Sequence, residues 1–269
     1  MKEIREYTKN DIPAMAELWA KAFNEEKEMP ELLFEMLPNM GSAVVMTEDG
    51  ELAAMATVIA GQEVQYASSG RTPEAGYIYG LAVDDKYRGR GYGREIARAA
   101  YDLAIKREAY IICTLPSDDG LCDFYSKILG FETALYRKRA ETAARDEEMP
   151  MKMNATEYSM MRESLLKGST YLRLSVFALD FERRLCELYG GGLFASMSGI
   201  CTAQKDGDTC VIHEMISQNP EYTAASVAFS LGCKKAVWFT PCAEGEGEKY
   251  IMAEKGKIPP ETVWNIAYD

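Results

Sequence analysis

Apolar positions along this chain switch repeatedly between a two-residue and a three-to-four-residue period. Residues 2–7 alternate as a strand does. Asn10 or Asp11 can then cap a helix whose Ile12, Met15, Trp19 and Phe23 fall on one face. A second helix is predicted from near Pro30, with Leu33, Met36 and Leu37 inward. Ser42–Thr47 and Glu51–Ile59 read as strands joined across Glu48-Asp49-Gly50, a hairpin signal. Gly76–Val83 is the next strand, and a helix over Arg94–Arg107 presents Ile96, Ala100, Leu103 and Ala104 as its apolar face. Tyr110–Leu115 is a short apolar strand, Leu121–Leu129 a short helix, and Glu132–Tyr136 further strand material.

Between Arg137 and Glu148 eight of twelve residues are charged, and Met149-Pro150 closes the run. This reads as a partly helical junction, giving domains over residues 1–145 and 146–269. Beyond it the pattern predicts helices near Glu157–Leu166 and Val176–Tyr189. A break at Gly190-Gly191-Gly192 follows, then strands at Leu193–Met197, Ile200–Gln204, Thr209–Met215 and Lys234–Thr240. The fold class is α/β (α+β): a mixed central sheet flanked by helices, then a second, smaller set of the same elements.

Charge and cysteine usage narrow the function. The 269 residues carry a net charge of −12, which argues against a nucleic-acid-binding surface. Seven cysteines (113, 122, 186, 201, 210, 233 and 242), with no C-x-x-C pair, disfavour a disulfide framework or a structural zinc site. Cys113 and Cys122 are expected as buried small apolar residues. Reduced thiols, the lack of an apolar leader in the first residues and the lack of any run of ~18 apolar residues give the expectation of a cytoplasmic protein without a membrane span. His213 is the one histidine, so Ser-His or Cys-His chemistry would have to use it. It lies in a predicted strand, with no G-x-S-x-G motif elsewhere to support such an enzyme, and reads as structural.

The chemistry concentrates in Tyr77-Ile-Tyr-Gly-Leu-Ala-Val-Asp-Asp-Lys-Tyr-Arg-Gly-Arg-Gly-Tyr-Gly-Arg-Glu-Ile96, a strand, a turn with three glycines and an amphipathic helix. Glycine amides at a helix N-terminus suit a pyrophosphate. Lys86, Arg88, Arg90, Arg94 and Arg98 against Glu95 make the stretch +4 in an acidic chain. No Lys-Ser/Thr pair makes it a P-loop, and Gly89, Gly91 and Gly93 are spaced G-x-G-x-G, not G-x-G-x-x-G. Arg88-Gly89-Arg90-Gly91-Tyr92-Gly93, followed by Arg94, resembles the acetyl-CoA loop [RQ]-x-x-G-x-[GA] of the GNAT superfamily of N-acetyltransferases.

That resemblance covers roughly residues 3–140. It implies acetyl-CoA as co-substrate, with no metal, and pantetheine pairing along Leu81, Ala82 and Val83. Phe124-Tyr125-Ser126-Lys127-Ile128-Leu129-Gly130-Phe131 resembles the family's F-Y-x-x-x-G-F phrase with one extra residue, so Tyr125 inherits the role of general acid. One helical residue is about 100° of rotation, and Tyr125 packing into the core is the alternative. Asp85 stands where the family often has proline. The resemblance implies transfer of an acetyl group to a primary amine of a small molecule or a protein. An amine of pKa ~10.4 must first lose a proton, and Glu74, ahead of the central strand, is the carboxylate best placed to take it. A solvated loop glutamate is its alternative.

The second half has no R-x-x-G-x-G, and Glu221–Leu231 is too short for a glycine turn plus a cofactor helix. With the closing stretches Tyr250–Lys255 and Val263–Asp269 it resembles the degenerate C-terminal halves of tandem bacterial GNAT proteins. Two other readings stay open: a catalytically silent acyl-CoA-binding or regulatory protein, and a pairing role of the second half in a homodimer.

Overall fold

The computed structural model describes every residue except 68, 69, 71, 265, 267 and 269. Asn265, Ala267 and Asp269 of the closing stretch thus lie outside the described residues. The chain forms two compact units that are not consecutive halves. The first comprises Met1–Val64, Thr72–Ala134 and Tyr250–Pro259, the second Gln65–Arg71, Leu135–Lys249 and Pro260–Asp269.

In the first unit, β1 (Lys2–Glu6) leads into α1 (Ile12–Phe23) and α2 (Glu28–Met40). Pro13 occupies the first turn of α1, where its missing N–H costs nothing, and Asn24 ends the helix in the left-handed region. The hairpin of β2 (Gly41–Glu48) and β3 (Glu51–Gln65) turns on Asp49 and Gly50, with φ of 53° and 85°. Two positive φ values in a two-residue loop match the right-handed twist of the strands it joins. β4 (Glu74–Val83) pairs antiparallel with β3, and α3 (Tyr92–Lys106) crosses over to β5 (Ile111–Thr114), parallel to β4. α4 (Asp119–Leu129) starts with the Asp118 carboxylate accepting from the Leu121 amide at 2.8 Å and leads to β6 (Phe131–Thr133).

β5 and β6 do not pair with each other. The strand Met252–Glu254 stands between them, antiparallel to both, with Met252 opposite Thr114 and Thr133. The sheet order is β1-β2-β3-β4-β5, then this strand, then β6. Met252 joins Ile78, Ile96, Ala100, Ile112, Tyr125 and Phe131 in the core beneath α3 and α4.

The second unit opens with β7 (Tyr136–Ala143) and β8 (Met151–Met153), followed by α5 (Ala155–Leu165), β9 (Tyr171–Arg173) and α6 (Val176–Leu188). β10 (Gly192–Ser196), β11 (Gly199–Asp206) and β12 (Thr209–Ser217) form a meander. α7 (Pro220–Ser230) crosses over to β13 (Lys235–Cys242), parallel to β12, and β14 (Glu248–Lys249) borders β7. The sheet runs β8-β10-β11-β12-β13-β7-β14. Read from β8, this is the order of the first unit, with β7 in the slot that Met252–Glu254 fills there. Each unit therefore takes that strand from a distant stretch of chain.

The charged run is where expectation and structure part. Tyr136–Ala143 is a strand paired with β13 over its full length, from Tyr136↔Cys242 to Ala143↔Lys235. It belongs to the second unit, so the division falls before residue 145. Arg, Lys, Glu and Ala favour a helix in isolation, but pairing with β13 overrides that weak preference. The charges lie on exposed faces, with Arg139 and Lys235 at 2.9 and 3.8 Å from Glu141. His213 lies in a strand, as expected. It is the extra residue of a bulge in β12, since Glu214 faces Thr202 and Ile212 faces Ala203.

Candidate active site

The glycine turn follows β4. The Asp84 side chain accepts from the Lys86 amide at 2.9 Å and starts a single tight turn over Asp85–Tyr87. Gly89 and Gly91 then take φ of 78° and 84°, a region closed to most side chains, and Gly91 immediately precedes α3. The first amides of α3 thus face outward at the positive end of the helix dipole. Beside them lies a cleft of about 460 Å³.

Nine of the ten residues expected to hold acetyl-CoA line this cleft: Leu81, Ala82, Val83, Arg88, Gly89, Gly91, Tyr92, Gly93 and Arg94. Arg90 does not. Its guanidinium lies 3.3 Å from Glu48 and 5.2 Å from the centre of the Tyr87 ring. The Tyr92 hydroxyl donates to the same Glu48 carboxylate at 2.7 Å, while its ring stacks on Tyr87. The apolar walls were missed in the sequence. Ala22 and Phe23 at the end of α1, with Leu121, Phe124 and Ile128 of α4, line the cleft. Their helical spacing reads as ordinary core, yet Phe23 is 42% and Leu121 38% exposed.

On β4, N-terminal to the cleft-lining Leu81, strands β4 and β5 separate. Their parallel register runs from Ala75↔Ile111 to Ile78↔Thr114 and stops. There the Thr114 hydroxyl donates to the Ile78 carbonyl at 3.0 Å, and Tyr125 lies in the same core as Ile78. Burial of Tyr125 in the core under α4 pushes its phenol up to about 12, against a smaller lowering from Thr114.

One residue beyond the last pair, β4 bulges. Thr57 of β3 faces Tyr79, and the next pair is Met55↔Ala82, so β4 carries one residue more than β3 across this interval. Gly80, in the bulge, has φ of 63°, and a Cβ there would lie 1.8 Å from the Trp19 ring. A glycine inside a strand pattern signals such a close approach, and that signal was available at Gly80.

The structure does not bring Glu74 to this place. It opens β4 opposite Glu63, six residues before Gly80, roughly 20 Å away along the strand. Its carboxyl is raised by partial burial and by the like charges of Glu63 and Glu108. Cys113 and Cys122 are buried, as expected, and burial raises the Cys113 thiol far above its ordinary range.

A strand ending in a glycine turn, followed by a helix that presents its first amides to a cleft, makes a site for a phosphate-bearing ligand. Residues 12–131 match the acetyltransferase (GNAT) family. A probable N-acyltransferase from Enterococcus faecalis superposes with a TM-score of 0.70 at 16% identity, over 94% of this chain and 72% of that one. A GCN5-related N-acetyltransferase from Kribbella flavida gives 0.68 at 14%, over 94% and 70%, and a putative acetyltransferase from Pyrococcus horikoshii 0.65 at 16%, over 96% and 91%. Among curated proteins none matches the chain. Residues 12–131 thus form a GNAT-type acetyltransferase domain, and the activity it carries is that of an acyltransferase, moving an acyl group from acyl-CoA to an acceptor. Among the described residues no helix is long and apolar enough to cross a membrane.

Proposed function

We propose that the chain transfers an acetyl group from acetyl-CoA to a primary amine of a small molecule or a protein, with all of the chemistry in the first unit. The observation that carries this reading is the cleft beside the glycine turn, lined by Leu81–Val83 of β4 just past the point where β4 and β5 cease to pair, with Tyr125 in the same core as Ile78 of that strand. The pyrophosphate lies on the amides of residues 89–93 with Arg88 and Arg94 beside it. The pantetheine arm runs along Leu81–Val83, and the thioester reaches the gap between the strands.

Backbone directions in β4 support an oxyanion site there. The Ile78 carbonyl faces β5, where Thr114 donates to it, and the Tyr79 carbonyl faces β3, where Thr57 does. A trans peptide sets C=O and N–H on opposite sides, so the Gly80 N–H faces the gap beside β5. A neutral amine attacks the thioester carbon and the C–N bond forms. The oxygen takes the negative charge against the Gly80 N–H, and collapse breaks the C–S bond. A thiol of ordinary pKa ~8.5 is a stronger acid than a phenol at about 12, so full proton transfer from Tyr125 to the sulfur is uphill. Tyr125 therefore acts by hydrogen bonding the departing thiolate, and the proton shed by the amine nitrogen ends on the sulfur.

The second unit does not bind CoA in this reading. Its counterpart of the glycine turn is Ser217-Gln218-Asn219-Pro220, and its own side chains occupy the start of α7. Asn219 accepts from the Tyr222 amide at 3.3 Å, and Ser217 bonds the Asn219 amide and the Thr223 hydroxyl at 3.1 and 2.9 Å. Calorimetric titration of acetyl-CoA tests this reading. One site per chain is expected, and Gly91→Asp, which sets a carboxylate against the phosphates, should weaken binding about tenfold or more. Unchanged affinity in that variant, or two sites per chain, contradicts the assignment.

A further inference from the structure

β3 passes through the core as Ala53-Ala-Met-Ala-Thr57-Val-Ile59, with a single hydroxyl among apolar side chains. Thr57 is fully buried, and a buried hydroxyl needs a partner. It has one: the Thr57 hydroxyl donates to the Tyr79 carbonyl, the last carbonyl of β4 before the bulge residue Gly80. Directly opposite, the ring of Trp19 lies so close to Gly80 that a Cβ would overlap it, at 1.8 Å from Cζ3 and 2.1 Å from Cη2. Trp19 is itself buried, and its ring also meets Phe23, Phe34 and Tyr79. The peptide joining Tyr79 to Gly80 is therefore held at its oxygen by Thr57 and on one face by Trp19.

From this we infer that Thr57 is a positioning residue of the acyl-transfer site, fixing the tilt of the 79–80 peptide so that the Gly80 N–H points at the thioester oxygen. The inference rests on the reading above that the thioester lies in the gap beside Gly80. Thr57 is fully buried behind β4 and acts through the peptide it holds. A bulge has lost the regular ladder that would otherwise fix its peptide planes, and here a side-chain hydroxyl supplies the missing constraint. Misdirection of one donor in an oxyanion site reduces rates by roughly 10²-fold or more, so a small rotation of this peptide matters.

The test needs no acceptor. Acetyl-CoA labelled with ¹³C at the carbonyl is bound to the full chain, and the infrared band of the thioester carbonyl is compared with that of free acetyl-CoA. In the wild type a donor on the oxygen moves the band to lower frequency. Thr57→Val, which keeps the shape and removes the hydroxyl, should lose that displacement with acetyl-CoA affinity unchanged, and Thr57→Ser should restore it. A merely structural threonine would alter thermal stability in Thr57→Val and leave the band where the wild type has it, and that result overturns the inference. If Thr57→Val does not fold, Thr57→Ala compared with Thr57→Ser carries the same contrast. A wild type that binds acetyl-CoA with no displacement of the band would instead overturn the placement of the thioester beside Gly80, and the role of Thr57 with it.

Discussion

Tyr125 and Gly80 show how much rests on single side chains. Tyr125→Phe keeps the ring and its packing against Phe124 and deletes only the hydroxyl at the point where the strands part. Turnover of acetyl-CoA with an accepted amine should fall by roughly 10²–10³-fold, the range for removal of one hydrogen-bond donor to a developing anion, while acetyl-CoA affinity stays constant. Release of free thiol measures the first and calorimetry the second. Turnover that survives, together with a lower melting temperature, would make Tyr125 a packing residue. At Gly80 the methyl of Gly80→Ala would enter the Trp19 ring at a backbone angle that L-residues rarely adopt. Overpacking and backbone strain each cost about 1–3 kcal/mol, so the urea midpoint should drop accordingly. An unchanged midpoint would mean that Trp19 moves freely, and the bulge would not be fixed as described.

At the scale of elements, the strand Met252–Glu254 is the least expected part of the first unit. It pairs with both β5 and β6, and Glu254 accepts from the Tyr101 hydroxyl of α3 at 2.8 Å. A chain ending at Lys249 leaves both strands with an unpaired edge and uncovers Met252's place in the core. Such a chain should lose acetyl-CoA binding and the cooperative melt of the first unit, as followed by calorimetry. Retention of both would show that β5 and β6 can close on each other.

The glycine turn, the hairpin at Asp49-Gly50 and the helices α1 to α4 were legible because each is written in neighbouring residues. The exchanged strands were not. Tyr136–Ala143 has the composition of a solvated helix and becomes a strand only through β13, about a hundred residues later. Residues 252–254 carry no local sign of their partners. The bulge at Gly80 was half legible, since the glycine was visible and Thr57 and Trp19, which hold it, lie on other elements. Glu74 was misplaced because proximity to the central strand in sequence says nothing about which end of it faces the cleft.

For the whole molecule, the charged groups of the first unit set the pH range in which it is stable. Glu6 is lowered to about 2 from an ordinary 4.5, first by the Ser42 hydroxyl at 2.6 Å and then by Arg107 and Lys106. Its contribution is complete above the unfolded value and is lost as pH falls from about 4.5 towards 2. Tyr101 and Tyr125 are both pushed up to about 12, chiefly by burial. In the unfolded chain they ionise near 10, so stability should decline as pH rises from about 10 towards 12. Melting temperatures across pH should show both limbs, with the alkaline one shallower in Tyr101→Phe. A flat alkaline limb in the wild type would contradict the burial of these phenols.

The exchanged strand also orders events during synthesis. All of the cleft-lining residues and Tyr125 have been made by the time Ala134 is added, yet the strand between β5 and β6 arrives only with residues 252–254. At ~5–20 residues per second this is a delay of about 6–24 s. During it the nascent chain exposes two open strand edges and the second unit emerges from the ribosome. Acyl-transfer competence should therefore wait for residues 252–254, and a message cut short between residues 134 and 252 should yield a product that contains every residue of the cleft without the strand that joins β5 to β6.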